Sequence, residues 1–207
     1  MSARERLIEA TADQLWIRGY TGTSPRSIQV AADAGQGSMY HHFHGKADLA
    51  RAAIEHMADG LLAEGLEILD RPGDPIDRIE AWLFKPRDRL RGCRLGRLVS
   101  DPDVVNNEEL LSPIGAVFAH LAGRIAEILR TAQSTGRLDP SIDADDLAAL
   151  VVSAVQGGYV LARAGQDAEV FDRSVRGAAA LLRRACRTPA SKRRRTTERV
   201  NSNELSA

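Results

Sequence analysis

The chain has 207 residues, which suits one large compact domain or a small domain joined to a larger one. It carries 28 basic and 28 acidic side chains, so its formal net charge is zero and no general positive field is available to attract a polyanion. No uninterrupted apolar run approaches the length that spans a bilayer, and the charged N-terminus, MSARERLIEA, lacks a signal-peptide core. We therefore expect a cytoplasmic protein in which Cys93 and Cys186 are free thiols.

The first predicted helix spans residues 2–18. Apolar or small residues recur every four residues from Leu7 to Trp16, which predicts one buried stripe. Gly19 suits the end of this helix. We expect the helix to brace the segment that follows it.

Residues 23–49, TSPRSIQVAADAGQGSMYHHFHGKADL, have the pattern of two short helices joined by a tight turn. The first is predicted at residues 25–33, and Gly35 is expected to supply the unusual backbone angles of the turn. The second is predicted at residues 36–43, with Met39 pointing inward. Because so short a helix is unstable alone, its neighbours must hold it, as in a helix-turn-helix unit that enters a major groove.

This segment closely resembles the DNA-binding domain of TetR/AcrR-type bacterial transcriptional regulators. The matching residues are Gly19, Tyr20, Thr23, Arg26, Ile28, Ala31, Ala32, Gly37, Ser38, Tyr40, His41, His42, Phe43, Lys46 and Leu49. Two positions depart from the family pattern, which usually has glycine where Asp33 stands and a polar cap where Gly35 stands.

The resemblance implies an all-α protein with a three-helix DNA-binding domain at residues 1–48, whose helix-turn-helix spans about 24–43. A larger helical domain at residues 49–187 would bind an effector and dimerise, and a connecting helix at residues 46–70 would couple the two domains. A GCxxG element at residues 92–96 is similar to the LmrA/YxaF-like branch of the family. The implied partners are operator DNA, a second copy of the chain and a small effector. No cofactor or metal is expected, since the histidines near residue 42 lack the spacing of a metal site.

Residue type and position assign the candidate DNA contacts. Hydroxyl and cationic groups near helix ends suit phosphates, and the four candidates are Thr23, Arg26, Tyr40 and Lys46. Polar side chains on the second short helix suit base edges, and a glycine there lets the backbone approach closely. These candidates are Gln36, Gly37, Ser38 and His41. The alternative for Tyr40 and His41 is that they simply cover the core.

The larger domain is predicted to have helices at residues 75–85, 112–135, 143–164 and 168–186, with a loop at 101–107. The last two helices are apolar on more than one face, so each needs two partners. The resemblance implies that they form half of a four-helix dimer interface. Alternatively, the second face packs inside one subunit. The candidate interface residues are Ala154, Gly158, Leu161, Val175, Ala178 and Leu182.

Aromatic and apolar residues of the larger domain, mixed with a few polar groups, suggest a ligand site. The candidates are Trp82, Cys93, Phe118, Leu121, Gln156 and Tyr159. Each alone suits an ordinary core, but together they favour an apolar or aromatic effector. Cys93 is alternatively a sensor of oxidants or electrophiles, although no second cysteine is near it in the sequence.

No catalytic motif is present, so an enzyme is not expected. The leading hypothesis is a sequence-specific, homodimeric repressor that a small effector releases from a palindromic operator. The alternative is a DNA-binding regulator without an effector, whose second domain only dimerises or binds a protein partner. Residues 188–207 include the cluster KRRR and lack apolar periodicity, so we expect a disordered basic tail that either adds non-specific DNA affinity or has no role.

Overall fold

The computed structural model describes residues 1–186, and the expected disordered tail at 188–207 lies outside these residues. The described chain is all-α, as predicted. Its helices are α1 Ala3–Arg18, α2 Pro25–Ala31, α3 Gln36–His42, α4 Lys46–Leu69, α5 Pro75–Phe84, α6 Pro102–Val105, α7 Glu108–Ser134, α8 Ala144–Gly165 and α9 Ala168–Ala185. A 3-10 turn at Leu98–Ser100 and an isolated bridge between Leu138 and Cys186 complete the described regular structure. We call α1–α3 the head and α4–α9 the body.

The head helices begin where side chains satisfy the first free backbone N–H groups. Ser2 and Glu5 form reciprocal hydrogen bonds at the start of α1, and Ser24 and Ser27 do the same for α2. Pro25 occupies the first position of α2, where its missing N–H removes no helical hydrogen bond. The first helix of the helix-turn-helix is therefore capped by its own side chains.

The turn between α2 and α3 uses a different residue from the one expected. Asp33 has a φ of 46°, whereas Gly35 is extended with a φ of −69°. The N–H of Ala34 donates to the carbonyl of Gln29 at 3.0 Å, and the N–H of Asp33 donates to the carbonyl of Val30 at 3.4 Å. This pair of bonds is a Schellman motif, in which the left-handed position is usually glycine. The expectation for Gly35 was wrong, and the aspartate itself makes the reversal.

The body is organised around two long helices. α4 packs against α1 of the head and against α7, and α7 packs in turn against α8, which packs against α9. α7 begins at Glu108, one turn earlier than predicted, so Pro113 lies inside the helix and not at its start. The earlier start has a local cause, because the side chain of Asn107 accepts the N–H of Glu109 and Leu110 is buried.

Residues 101–107 were predicted as a loop, but they contain the short helix α6. The carboxylate of Asp101 accepts the N–H of Asp103 at 3.1 Å, and Pro102 occupies the first helical position. The buried side chain of Val104 fixes this turn against the body. The polar residues that indicated a loop are thus the helix cap and its exposed side.

α8 is long and apolar enough to cross a membrane by length and composition, with a mean hydropathy of 1.5 over its most apolar window. No apolar run of this length was expected from the sequence. Polar residues interrupt the apolar run of α8, but they do not lower its mean hydropathy much. Only a third of that window is buried in the described chain, although α8 packs against both α7 and α9. The helix therefore carries a second apolar face that the described chain leaves uncovered.

The left-handed Asp33 gives a test of the turn. Asp33→Val should lower the free energy of unfolding by about 1–2 kcal/mol, because a β-branched residue is strained at positive φ. Asp33→Gly should leave it unchanged or raise it by up to about 1 kcal/mol, since glycine adopts this conformation without strain. Urea unfolding midpoints measure both changes. The control is Asp59→Val on the exposed side of α4, and an equal effect of valine at both positions would contradict the assignment.

Candidate functional site

The outer surface of α3 presents most of the residues that were expected to touch DNA. Gln36, Gly37 and His41 are exposed, Ser38 is half-buried, and the side chain of Tyr40 is 51% exposed. Tyr40 and His41 therefore do not cover the core, whereas Met39 and Phe43 are buried. The helix spacing of four places Gln36 beside Tyr40 and Gly37 beside His41. α3 thus offers hydroxyl, amide and imidazole groups to a partner outside the chain.

The other three DNA candidates have different surroundings. Arg26 is exposed on α2. Lys46 is half-buried, and its ammonium lies 4.0 Å from the centroid of the Tyr20 ring. Thr23 is only 3% exposed, and its hydroxyl donates to the carbonyl of Gly19 at 2.7 Å. The expectation of a phosphate contact from the Thr23 hydroxyl is therefore contradicted, since this hydroxyl instead ties the start of the second helix to the end of the first.

The end of α1 is docked on residues 91–97 of the body, which we call the docking segment. The buried indole of Trp16 donates from Nε1 to the carbonyl of Gly92 at 3.2 Å. In return, the side chain of Arg97 donates to the main-chain carbonyl of Trp16. The tryptophan is thus bonded to the docking segment through both its side chain and its backbone.

Two arginines of the docking segment also stack on the Trp16 ring. The guanidinium carbon of Arg91 lies 3.5 Å from a ring centroid, and that of Arg94 lies 4.5 Å away. Arg94 also forms an ion pair with Asp13 of α1 at 3.1 Å. The head therefore meets the body through a compact polar and aromatic contact in addition to the packing of α1 on α4.

A second tie joins the turn after α1 to the cap of α6. The N–H and hydroxyl of Thr21 each donate to the carboxylate of Asp101 at 2.9 Å. Burial disfavours ionisation of Asp101, but the hydrogen bonds from Thr21 outweigh it and lower the pKa of the carboxyl group. Asp101 is therefore an ionised acceptor that holds the head and α6 together.

A cavity of about 810 Å³ lies in the body and reaches α1 of the head. All six candidate ligand residues line it, namely Trp82, Cys93, Phe118, Leu121, Gln156 and Tyr159. Its walls also include Trp16, Gly92 and Arg94, so the docking contact forms one side of the cavity. The volume is in the range of sites for small organic molecules. The six candidate residues thus surround one cavity, and Trp16 of the head completes part of its wall.

Three of the polar groups around the cavity are Arg87, Gln156 and Tyr159. Burial raises the pKa of the Tyr159 hydroxyl, so the phenol is neutral at physiological pH. Arg87 donates to the main-chain carbonyls of Trp82, Leu83 and Lys85 at 2.6, 2.7 and 3.0 Å. Burial lowers the pKa of Arg87, but an arginine retains its charge at neutral pH.

Trp16 and Arg87 were not among the residues predicted to form a ligand site. Trp16 follows the buried stripe of the first helix, so periodicity alone places it in the core of the head. Arg87 follows Pro86, and its only sequence signal is that a basic residue near a helix end often binds the last free carbonyls. Their shared position depends on how the head docks, which local patterns do not encode.

The candidate dimer face is only partly as expected. Val175, Ala178 and Leu182 are buried within the described chain, and a side chain at Gly158 would meet Phe171 and Ser174 of α9. These four candidates pack α8 on α9, so the alternative of packing inside one subunit is correct for them. Leu161 is 57% exposed and Ala154 is half-buried.

The outward face of α8 and α9 carries other apolar residues. On α8, Leu150, Ala154, Gly157 and Leu161 follow each other at spacings of four, three and four, which is one helical stripe. On α9, Leu181 is 56% exposed. We call these five residues the outer stripe. Exposed leucines on two adjacent helices make an apolar patch of the kind that marks interaction surfaces.

Two family descriptions match the chain. "Bacterial regulatory proteins, tetR family" matches residues 7–53, and "Tetracyclin repressor-like, C-terminal domain" matches residues 75–178. The first range contains the helix-turn-helix and the second contains most of the body. Together they account for both the surface of α3 and the helices around the cavity.

Characterised relatives and solved structures agree with these matches. The chain is 30% identical to the transcriptional regulator AcuR of Cereibacter sphaeroides over 154 residues, which cover 70% of this chain and 69% of AcuR. It is 26% identical to the regulator LmrA of Bacillus subtilis over 167 residues, covering 77% and 85% of the two chains. A TetR transcriptional regulator from Chloroflexus aurantiacus superposes with a TM-score of 0.80 at 26% identity, covering 89% of this chain and 96% of that one. The chain therefore belongs to the TetR family, as its helix-turn-helix predicts, and is a DNA-binding transcriptional regulator and not an enzyme.

Proposed function

We propose that the protein is a homodimeric repressor that leaves a palindromic operator when a small molecule occupies the cavity. The observation that carries this proposal is the position of Trp16, which belongs to the head and yet lines the cavity of the body. A molecule in the cavity would therefore touch Trp16, a residue of the head that also carries α3. This position supports a link between the cavity and α3, because Trp16 belongs to α1 and α1 packs against α3.

The coupling requires little free energy. A ligand that favours one position of the docking segment changes operator affinity several-fold to about a hundredfold with a coupling of only ~1–3 kcal/mol. The contacts of Trp16 with Gly92, Arg91 and Arg94 are of the right kind, because hydrogen bonds and ring stacking depend steeply on geometry. A small shift of the docking segment would therefore be transmitted to α1 and through it to α3.

The outer stripe supports the homodimer. Regulators of this family usually act as dimers, and two heads that read a palindrome need a two-fold axis between them. α8 and α9 carry exposed leucines that a second copy would cover, while their opposite faces are already packed in the body. A two-fold contact between outer stripes would form the four-helix interface and fix the distance between the two α3 helices.

The experiment that tests the proposal is capture of sheared genomic DNA by the purified protein at near-physiological salt, followed by sequencing. One or a few palindromic peaks would identify the operator. Compounds are then screened for release of a labelled operator duplex. Specific DNA binding without release by any compound, together with no thermal stabilisation by any of them, would favour a regulator whose body only dimerises or binds another protein.

Substitutions in the head separate base reading from phosphate binding. Gln36→Ala should relax the preference at particular base pairs, because its amide is exposed on α3 and suited to adenine. Lys46→Ala should weaken binding to all sequences alike and reduce the salt dependence of log K by about one unit. Binding to a panel of operator variants at several salt concentrations measures both. An unchanged sequence preference in Gln36→Ala would show that α3 does not read bases through this residue.

A charged substitution tests whether the outer stripe forms the dimer interface. Leu161→Asp should produce monomers, because two carboxylates would be buried at a two-fold interface, and operator affinity should fall at least tenfold as the two half-sites lose their linkage. Sedimentation velocity and operator titration measure these effects. Val105→Asp, at an exposed valine of α6, is the matched control and should remain dimeric. A dimeric Leu161→Asp protein would place the interface elsewhere.

The role of Trp16 is tested through the reciprocity of coupled binding. The fluorescent probe 8-anilinonaphthalene-1-sulfonate, an aromatic anion, should bind the cavity at least fivefold more weakly when the operator duplex is present. In Trp16→Phe, which keeps a ring but loses the bond to Gly92, both ligands should still bind while this difference disappears. Ile17→Ala, at an exposed neighbouring residue, should keep the difference. A Trp16→Phe protein with unchanged coupling would contradict the proposed route.

A further inference from the structure

The cavity contains a buried positive charge without an acidic partner. The Arg87 guanidinium is largely buried at the cavity wall, and among the described residues no carboxylate lies within ion-pair distance of it. The neighbouring cations differ, since Lys85 pairs with Glu64 at 2.9 Å and Arg94 pairs with Asp13 at 3.1 Å. A buried charge is ordinarily paired, because removing it from water is costly.

The hydrogen bonds of Arg87 leave part of its binding capacity free. A guanidinium has five N–H bonds, and three of those on Arg87 are directed to the carbonyls of Trp82, Leu83 and Lys85 at the end of α5. These carbonyls are neutral, so they satisfy donors without neutralising the charge. The two remaining N–H bonds are the number that one carboxylate accepts in a bidentate pair.

The acidic residues of the cavity wall are engaged or exposed. Glu64 holds Lys85, and Asp88 accepts the main-chain N–H of Arg91 at 3.0 Å. Asp59 is exposed on α4. Among residues 1–186, none of them forms an ion pair with Arg87, although Glu64 is near enough to favour its charged form.

Two further polar groups accompany this charge. The amide of Gln156 and the hydroxyl of Tyr159 line the cavity, and neither has a hydrogen-bond partner in residues 1–186. Arg87 lies near enough to Tyr159 to oppose the effect of burial on the pKa of that phenol. Both groups can donate hydrogen bonds, and an anion bound near Arg87 could accept them.

Apolar residues form much of the remaining wall, which also includes His56, Asp59, Glu64, Lys85, Asp88 and Arg94. Trp82 and Phe171 flank the guanidinium with ring centroids 5.2 and 6.0 Å from its carbon. Leu121, Phe118 and Val155 continue the wall. These surfaces would cover the body of an apolar or aromatic molecule whose charged end lies at Arg87.

We propose that the cavity binds amphipathic carboxylates, with the carboxylate on Arg87 and an apolar or aromatic body against Trp82, Phe118 and Leu121. This inference rests on the proposed function of the cavity as an effector site and specifies the chemistry of the effector. Gln156 and Tyr159 donate to the same head group. Neutral molecules of equal shape bind more weakly, because they leave the charge of Arg87 without a counter-charge.

Two probes that differ in the head group test this. Isothermal titration of the full-length protein is carried out with 1-naphthaleneacetate and with the neutral 1-naphthaleneacetamide at pH 7 and constant salt. The carboxylate should bind about tenfold to a hundredfold more tightly than the amide. Equal affinities would overturn the inference and leave the cavity as a site for aromatic molecules. Binding of neither probe would count against both the inference and the proposed effector site.

Variants connect the preference to one side chain. Arg87→Gln should abolish the preference for the carboxylate, whereas Arg89→Gln should keep it, because Arg89 pairs with Asp172 at 3.1 Å and does not line the cavity. Since Arg87 also supports the end of α5, Arg87→Lys is included as a variant that keeps the charge, and it should retain a reduced preference. Thermal unfolding monitors the fold of each variant. A full preference in Arg87→Gln, or none in the unaltered protein, would overturn the inference.

Discussion

The contact between Trp16 and the docking segment, together with the packing of α1 on α4, sets how the two parts of the molecule are related. α1 contributes to the core of the head with one side and meets the body with its C-terminal end. The indole bond to Gly92, the return bond from Arg97 and the stacked arginines fix this end over a short distance. The same tryptophan borders the cavity, so α1 belongs both to the head that carries α3 and to the cavity wall.

The cavity combines apolar residues with a largely buried positive charge. Its apolar residues suit the body of an organic molecule, while Arg87 places a largely buried charge beside them. The end of α5 stabilises the guanidinium through three carbonyls. The proposed preference for carboxylates follows from this arrangement, because apolar surfaces accept many shapes and a largely buried guanidinium accepts few head groups.

Local patterns in the sequence predicted the helices and the surface of α3 well, because caps, apolar stripes and a family motif act within a few residues of each other. Residue type also singled out six residues that lie together in the cavity wall. They failed where the outcome depends on competing packing. Asp33 adopts the left-handed conformation expected of Gly35, since two main-chain hydrogen bonds close the turn around it. Val175, Ala178 and Leu182 face inward, because only the packing of α8 on α9 decides which of two apolar sides is covered.

The chain has two tryptophans, and both Trp16 and Trp82 line the same cavity. The indole emission of the whole protein therefore originates from one small region, with no contribution from a tryptophan elsewhere. Trp16 belongs to the head and Trp82 to α5. A change in the docking contact therefore alters the emission of Trp16, whereas a change at the α5 side of the cavity alters that of Trp82. Replacing either tryptophan by phenylalanine would leave a single indole that reports on one side of the site, without any attached label.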